Sequence, residues 1–425
     1  MSIDKVFCLV PWVEVHINAD GTYHTCGAQV NWVTGTETAK KQNVHNMSIS
    51  DWVNSEYQKR ARLEKVNGEF NSLCNICYHE EAVGSSSKRI REFPKISVDY
   101  NNFEETYNIN PLKDHFDFSK ENNGLTNFIK PSSYHISLGN ECNLACKMCR
   151  PSNSTKIAVK QIMSGEWDGP ARMNWTDDDV AWDSVIDYMC STPNLEYVHI
   201  IGGEPLMNPK FHNLIDRLLA ANLTNIYLGL TTNGTIFDEQ LIEKLKPFRH
   251  VDIGVSVETG DVLNDYIRDG SNTYQVLENI KKYNSFRDKV PGLFVTLRTV
   301  PSALSIHTLD NLYKWCLENK IDVMTNHLIG PAYLQIKQLP KDIKDKLIEQ
   351  YSNWEFSDPS DGSHITRYQE EHYKHHIDDE IRSIINSLML PNDPILTKTL
   401  YNNLEKWGWL SNPDIGKYFK TDLEV

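Results

Sequence analysis

Three features are missing from this 425-residue sequence, and each absence removes a class of function. No stretch approaches the roughly 18 uninterrupted apolar residues that a membrane-spanning helix needs. The first residues, MSIDKVFCLVPW, hold no basic segment leading into an apolar run, so no export signal is expected. A basic surplus is missing too: 43 Lys and Arg against 57 Asp and Glu give a formal net charge of −14, and without a basic face there is little attraction to a phosphate backbone. The sequence therefore points to a cytoplasmic chain, away from membranes and away from nucleic acid.

Size and thiols are not in short supply. A chain of this length can bury a large core and divides into two or three domains. Nine cysteines, an odd number, fit a reducing compartment, where clustered thiols more often bind metal than pair as disulfides. Seven of them form two groups: Cys8, Cys26, Cys74 and Cys77 in the first eighty residues, then Cys142, Cys146 and Cys149 within eight positions. Residues 1–95 are expected to form one domain around the first group. Residues 96–130, rich in Asn, acidic and aromatic residues without clear periodicity, read as a connecting segment.

From residue 131 to 338 short β-rich runs alternate with helical patterns. SYHISLG, LEYVHII, NIYLGLTT, HVDIGVSVE, GLFVTLRTV and IDVMTNHLI are the strand candidates, and the five segments between them space apolar residues three and four apart. Strands alternating with helices imply parallel pairing through right-handed crossovers. The expected fold is α/β, a partial (β/α)6 TIM-like barrel followed by a helical region over residues 339–425.

On this layout GNECNLACKMCRP, residues 139–151, directly follows the first barrel strand, at the carboxyl end where sites of such barrels form. Three thiolates spaced by three and two residues can each reach a different iron of a 4Fe-4S cube and leave the fourth iron without a protein ligand. The amine and carboxylate of a small molecule could occupy that iron. Structural zinc is the alternative, although it prefers four protein ligands and no fourth Cys or His lies nearby.

These residues resemble the radical SAM superfamily, which carries Cys-x3-Cys-x2-Cys after its first barrel strand. Further features of that family occur in order: GGEP at 202–205 ending the second strand, TNG at 232–234 ending the third, and SVE at 256–258 ending the fourth. The resemblance spans about residues 133–335. It implies a 4Fe-4S cluster on Cys142, Cys146 and Cys149 that binds S-adenosylmethionine, with cofactor contacts from Gly202, Gly203, Glu204, Pro205, Asn233, Ser256 and Glu258, and from Arg268 or Arg298. The family usually has an aromatic residue before the third cysteine. Here Met148 stands there, and its thioether can pack beside adenine. The resemblance further implies an enzyme that cleaves S-adenosylmethionine reductively to a 5'-deoxyadenosyl radical, which takes hydrogen from a substrate. An electron donor such as flavodoxin or ferredoxin would serve it. No catalytic side chain is assigned.

The amino-terminal group resembles the hairpin of SPASM and twitch domains, in which two strands each present a cysteine. Cys8 and Cys26 flank the turn ADG, and Cys74 and Cys77 in CNICYHEE form a closing Cys-x2-Cys. This implies an auxiliary 4Fe-4S cluster with an electron-relay role; zinc, which four cysteines satisfy fully, is the rival. Such relatives favour a peptide or protein substrate, with a small polar molecule such as a sugar or nucleotide as the alternative. A non-catalytic iron-sulfur or zinc protein is the remaining possibility, against which the GGEP and SVE features count. Cys190 and Cys316 fall in apolar helix patterns and read as small core residues. His372, His375 and His376 share a charged helix face, His16, His24 and His79 are possible neighbours of the auxiliary site, and the aromatic residues of LEKWGWL pack helices.

Overall fold

Alternation along each strand decides what the sheet presents to its two sides. In YVHII, Val198 and Ile200 are completely buried in the core that also takes Phe211, Leu214, Ile215 and Leu218 of the helix Pro209–Ala220. His199, between them, faces the opposite side, as a period of two requires. That helix starts where it does because Pro209 occupies its first turn and the Asn208 side chain accepts the Lys210 N–H, a cap worth about 1 kcal/mol. Its apolar face is what holds it on the sheet: truncating Leu214 to Ala would cost about 2–5 kcal/mol.

The computed structural model describes residues 6–28, 41–71, 74–85, 87–91, 110–127, 130–354 and 377–422. Its strands are β1 (Glu14–Ile17), β2 (Tyr23–His24), β3 (Ser133–Ser137), β4 (Tyr197–Ile201), β5 (Tyr227–Thr232), β6 (His250–Ser256), β7 (Leu293–Thr299) and β8 (Asp322–Thr325). They form one eight-stranded sheet in the order β2-β1-β3-β4-β5-β6-β7-β8. All six expected barrel strands are present as β3 to β8, parallel and in sequence order.

One correction to the expected (β/α)6 layout follows. The amino-terminal hairpin does not stand apart from the barrel: β1 pairs in parallel with β3, Glu14 opposite Ser133 and Ile17 opposite Ile136, and β2 pairs antiparallel with β1. The sheet thus gains two strands from the region assigned to a separate domain. A strand of four residues, all buried, shows no alternation that would mark it, and its partner lies beyond the whole amino-terminal region. Within the connecting segment, residues 96–130, Asn110–Glu121 form a helix. Phe116 packs against Phe7 and Trp12 at ring distances of 4.9 and 5.0 Å, and the Trp12 indole N–H donates to Ser119 Oγ at 2.9 Å. Buried Arg62 ties the same region together by donating to the carbonyls of Gly124, Pro11 and Val53.

After β8 the described residues are mainly helical. Lys341–Ser352, Ile377–Met389 and Pro394–Lys406 add Leu347, Tyr351, Ile384, Leu388, Leu400 and Leu404 to the barrel core, and Trp409 of LEKWGWL is buried with them. Among the described residues no helix is long and apolar enough to cross a membrane.

Candidate functional site

The loop after β3 is fixed by buried side chains and by backbone contacts with several other segments. Asn140, fully buried, donates its side-chain N–H groups to the Pro151 and Ala171 carbonyls and accepts the Met173 N–H, closing the loop on itself. Ser154 donates to the Leu144 carbonyl at 2.7 Å, and the Ala145 and Lys147 N–H groups donate to Asp269 and Ile267 beyond β6. Cys142, Cys146 and Cys149 therefore ride on a frame anchored at both ends. Burial raises all three thiols, Cys149 up to about 12, and the Arg268 guanidinium opposes that rise at each.

Residues 202–204 press directly on this loop. The Gly203 N–H donates to the Gly139 carbonyl at 2.8 Å and the Glu204 N–H to the Glu141 carbonyl at 2.7 Å. A side chain at 203 would put its Cβ 2.1 Å from the Glu141 carbonyl oxygen, and Gly202 has φ +148° with the Gly139 oxygen 2.9 Å from any Cβ. Both glycines are thus required by contact with the cysteine loop itself. An ammonium group can only donate, so what the turn can offer it is carbonyl oxygen.

The remaining strand-end residues separate by role. Glu204 accepts from Leu206 N, Thr232 Oγ1 and Asn233 N, so it laces the end of β4 to the end of β5, and burial raises its carboxyl above the usual range. Pro205 opens a short turn behind it. Asn233 reaches the cysteine loop, donating to Asn143 Oδ1 at 2.7 Å with Cys142 Sγ at 3.8 Å. Glu258 accepts from Arg268 at 3.0 Å and from the Val300 N–H at 2.9 Å, with both side chains of the ion pair buried. Of the two arginines, Arg268 stands beside the cysteine loop. Arg298 does not: it is bound to Asp252, Thr231 and His199 inside the barrel. Ser256 lies opposite Arg298 in the register, and half-buried Met148 packs against the core.

That interior network was not singled out from the sequence. His24, His16, His135 and His199 occupy one lateral row of the sheet, and the rings of His135 and His199 stack at 5.1 Å. A guanidinium can only donate, so His199 Nε2, 3.2 Å from Arg298 Nη1, is the bare nitrogen and the ring proton sits on Nδ1, facing the Tyr197 hydroxyl at 2.6 Å. Gly229 and Gly254 leave room, since a Cβ there would lie 2.7 Å from His199 and 2.0 Å from Arg298. A signal was available: His-Ile recurs at 16–17, 135–136 and 199–200.

Cys8, Cys26, Cys74 and Cys77 line a single cavity together with Lys65, Lys88 and Arg89. Cys8 precedes the helix Val10–Val13, Cys26 follows β2, and Cys74 and Cys77 begin the helix Asn75–Ala82. Burial pushes Cys8 up to about 12 and Cys26 well above the usual thiol range, so a metal would have to displace protons to bind here. The cations differ in their partners. Lys88 pairs with Glu14 at 2.9 Å, Arg89 with Glu81, and the Lys65 ammonium donates to Cys74 Sγ at 3.3 Å. Among the described residues no three His, Cys, Asp or Glu side chains converge as they would around a single ion. Cys316 is a fully buried helix residue and Cys190 a half-buried one, while His372, His375 and His376 lie outside the described residues. His16 and His24 are buried sheet residues rather than surface ones.

The Radical SAM superfamily model matches residues 136–316, which run from β3 to the helix after β7 and include the cysteine loop, GGEP, TNG and SVE. These residues are a radical SAM domain. An uncharacterized protein of Methanocaldococcus jannaschii is 26% identical over 160 residues, covering 35% of this chain and 48% of that protein. The GTP 3',8-cyclase of Streptomyces coelicolor is 29% identical over 99 residues, 23% of this chain and 25% of that enzyme. The chain thus spans less than half the length of these curated relatives. Among solved structures, native anSMEcpe with bound AdoMet is 20% identical with a TM-score of 0.40, over 53% of this chain and 60% of that one. Streptococcus suis SuiB bound to precursor peptide SuiA is 19% identical with a TM-score of 0.36, over 70% and 62%. A radical SAM domain implies a 4Fe-4S cluster and S-adenosylmethionine, and three thiols on one loop, Cys146 buried and Cys142 and Cys149 half-buried, beside a guanidinium and backed by the Gly202–Glu204 turn, are a donor set that suits both.

Proposed function

We propose that this protein is a radical SAM enzyme in which Cys142, Cys146 and Cys149 hold the cluster and the fourth iron is left for S-adenosylmethionine. The observation that carries it is the backbone contact of Gly203 and Glu204 with the loop that bears the three cysteines. When bound, the cluster and S-adenosylmethionine supply reductive cleavage to methionine and a 5'-deoxyadenosyl radical that takes hydrogen from the substrate. The chain's own residues bind and orient. Carbonyls of Gly202 and Gly203 accept from the cofactor's ammonium, and Met148 packs by its adenine. Arg268, held by Glu258, presents its charge to the cofactor side, while Ser256 and Asn233 face the ribose and the loop.

Cys8, Cys26, Cys74 and Cys77 form a twitch-like auxiliary 4Fe-4S site that takes the electron left when a substrate radical is oxidised. Supporting this are the four thiols around one cavity and the parallel pairing of β1 with β3, which packs that site against the barrel. The substrate is a peptide or protein, on the resemblance of the auxiliary motif to twitch and SPASM domains. A small polar molecule is the second reading, favoured by the GTP 3',8-cyclases of Streptomyces coelicolor and Synechocystis among the matched proteins. A flavodoxin or ferredoxin serves as electron donor in the cytoplasm. Anaerobic protein given dithionite and S-adenosylmethionine should release 5'-deoxyadenosine and methionine. Failure to do so with both clusters present would sink the proposal.

A further inference from the structure

The amino-terminal cavity contains a cation whose surroundings make sense only if the thiols carry negative charge. Lys65 is 2% exposed, near the end of the helix Glu56–Val66. Its ammonium reaches Cys74 Sγ at 3.3 Å and the Tyr78 hydroxyl at 3.5 Å, and among the described residues it has no carboxylate within ion-pair distance. The other two cations of the cavity are neutralised, Lys88 by Glu14 and Arg89 by Glu81. A buried ammonium beside neutral thiols would be left largely uncompensated, a costly arrangement. Beside an anionic thiolate-ligated centre it becomes an ion pair with a hydrogen bond to sulfur.

Resting on the proposal that these four cysteines hold an iron-sulfur cluster, we infer that Lys65 raises the reduction potential of that cluster and so sets it to accept electrons. Charge near a cluster and hydrogen bonds to its sulfurs are two of the levers that fix its potential, and one ammonium acts through both. Adding an electron makes the centre more negative, so a cation at hydrogen-bonding distance stabilises the reduced form more than the oxidised one. Lys88 and Arg89 contribute less, because each shares its charge with a carboxylate.

The test is a mediated redox titration followed by electron paramagnetic resonance on the full-length protein with both clusters, the auxiliary signal being the one retained after Cys142, Cys146 and Cys149 are changed to Ala. Lys65→Met should move that midpoint negative by at least tenfold in the one-electron equilibrium, 59 mV, while Lys65→Arg, which keeps the charge, should shift it by less than half as much. Unchanged potential in a Lys65→Met protein with full iron would overturn the inference. Should Lys65→Met fail to hold its cluster, native protein labelled with 15N at the lysine side chains decides instead: pulsed resonance of the reduced auxiliary cluster should show a coupled 15N nucleus, and its absence overturns the inference equally. Zinc in place of iron at the four cysteines would overturn the auxiliary-cluster proposal itself, and metal analysis tells that outcome from the others.

Discussion

In the barrel, three thiols sit on one loop whose backbone is held by Asn140, Ser154 and the Gly203 and Glu204 amides. In the amino-terminal region, four thiols come from three places in the chain that meet only through packing. The barrel loop keeps its shape through hydrogen bonds that need no metal. The other site depends on the Phe7–Trp12–Phe116 cluster, buried Arg62 and the β1–β3 pairing to bring Cys8 and Cys26 toward Cys74 and Cys77. Metal binding should therefore add little to the fold at the first site and more at the second, where it ties separate segments together.

The sharpest way to break that comparison is to remove each site in turn. Native protein should carry about eight irons and eight sulfides as two 4Fe-4S clusters. With Cys142, Cys146 and Cys149 all changed to Ala, 5'-deoxyadenosine formation should be abolished and iron should fall by half, yet Tm should barely move. A large drop in Tm would show that the barrel loop is not self-supporting.

Gly203→Val tests the backbone frame directly. If the glycine only admitted the cofactor, the variant would lose S-adenosylmethionine affinity and keep its barrel cluster. The 2.1 Å approach to the Glu141 carbonyl instead predicts a displaced cysteine loop, loss of barrel iron with auxiliary iron retained, and a destabilisation of about 3 kcal/mol or more. Iron analysis with denaturant unfolding distinguishes the two.

Replacing Cys74 and Cys77 with Ala should remove the auxiliary iron and lower Tm more than the triple barrel variant does. Dithionite should still drive 5'-deoxyadenosine formation, with little oxidised product from the true substrate. Product at the native level from a folded variant would leave this region a docking or structural part.

The smallest effect expected is a control that touches neither site. Glu196, at the base of β4, has a buried carboxylate oxygen without a partner among the described residues, and burial raises its carboxyl to about 7. A carboxyl raised on folding holds its proton more tightly in the native state, so its stabilising contribution is complete below pH 4.5 and is lost as pH rises through 7. Glu196→Gln should flatten the fall in stability between pH 5 and 8 by a modest amount, because the side chain is partly exposed. Urea midpoints at both pH values would show it, and a parallel fall in variant and native protein would refute it.

Much of this protein is legible without its structure. The six parallel strands and the three-cysteine loop follow from short-range pattern, alternation and thiol spacing, and the strand-end motifs from resemblance to a family. Two outcomes belonged to the tertiary structure alone. Apart from the recurrent His-Ile pair, the sequence does not mark β1 as a partner of β3, since a fully buried four-residue strand has no period and finds its register through its neighbours. Nor does it tell Arg268 from Arg298, or place Lys65 against Cys74, because a side chain's partners are fixed by which distant segments pack together.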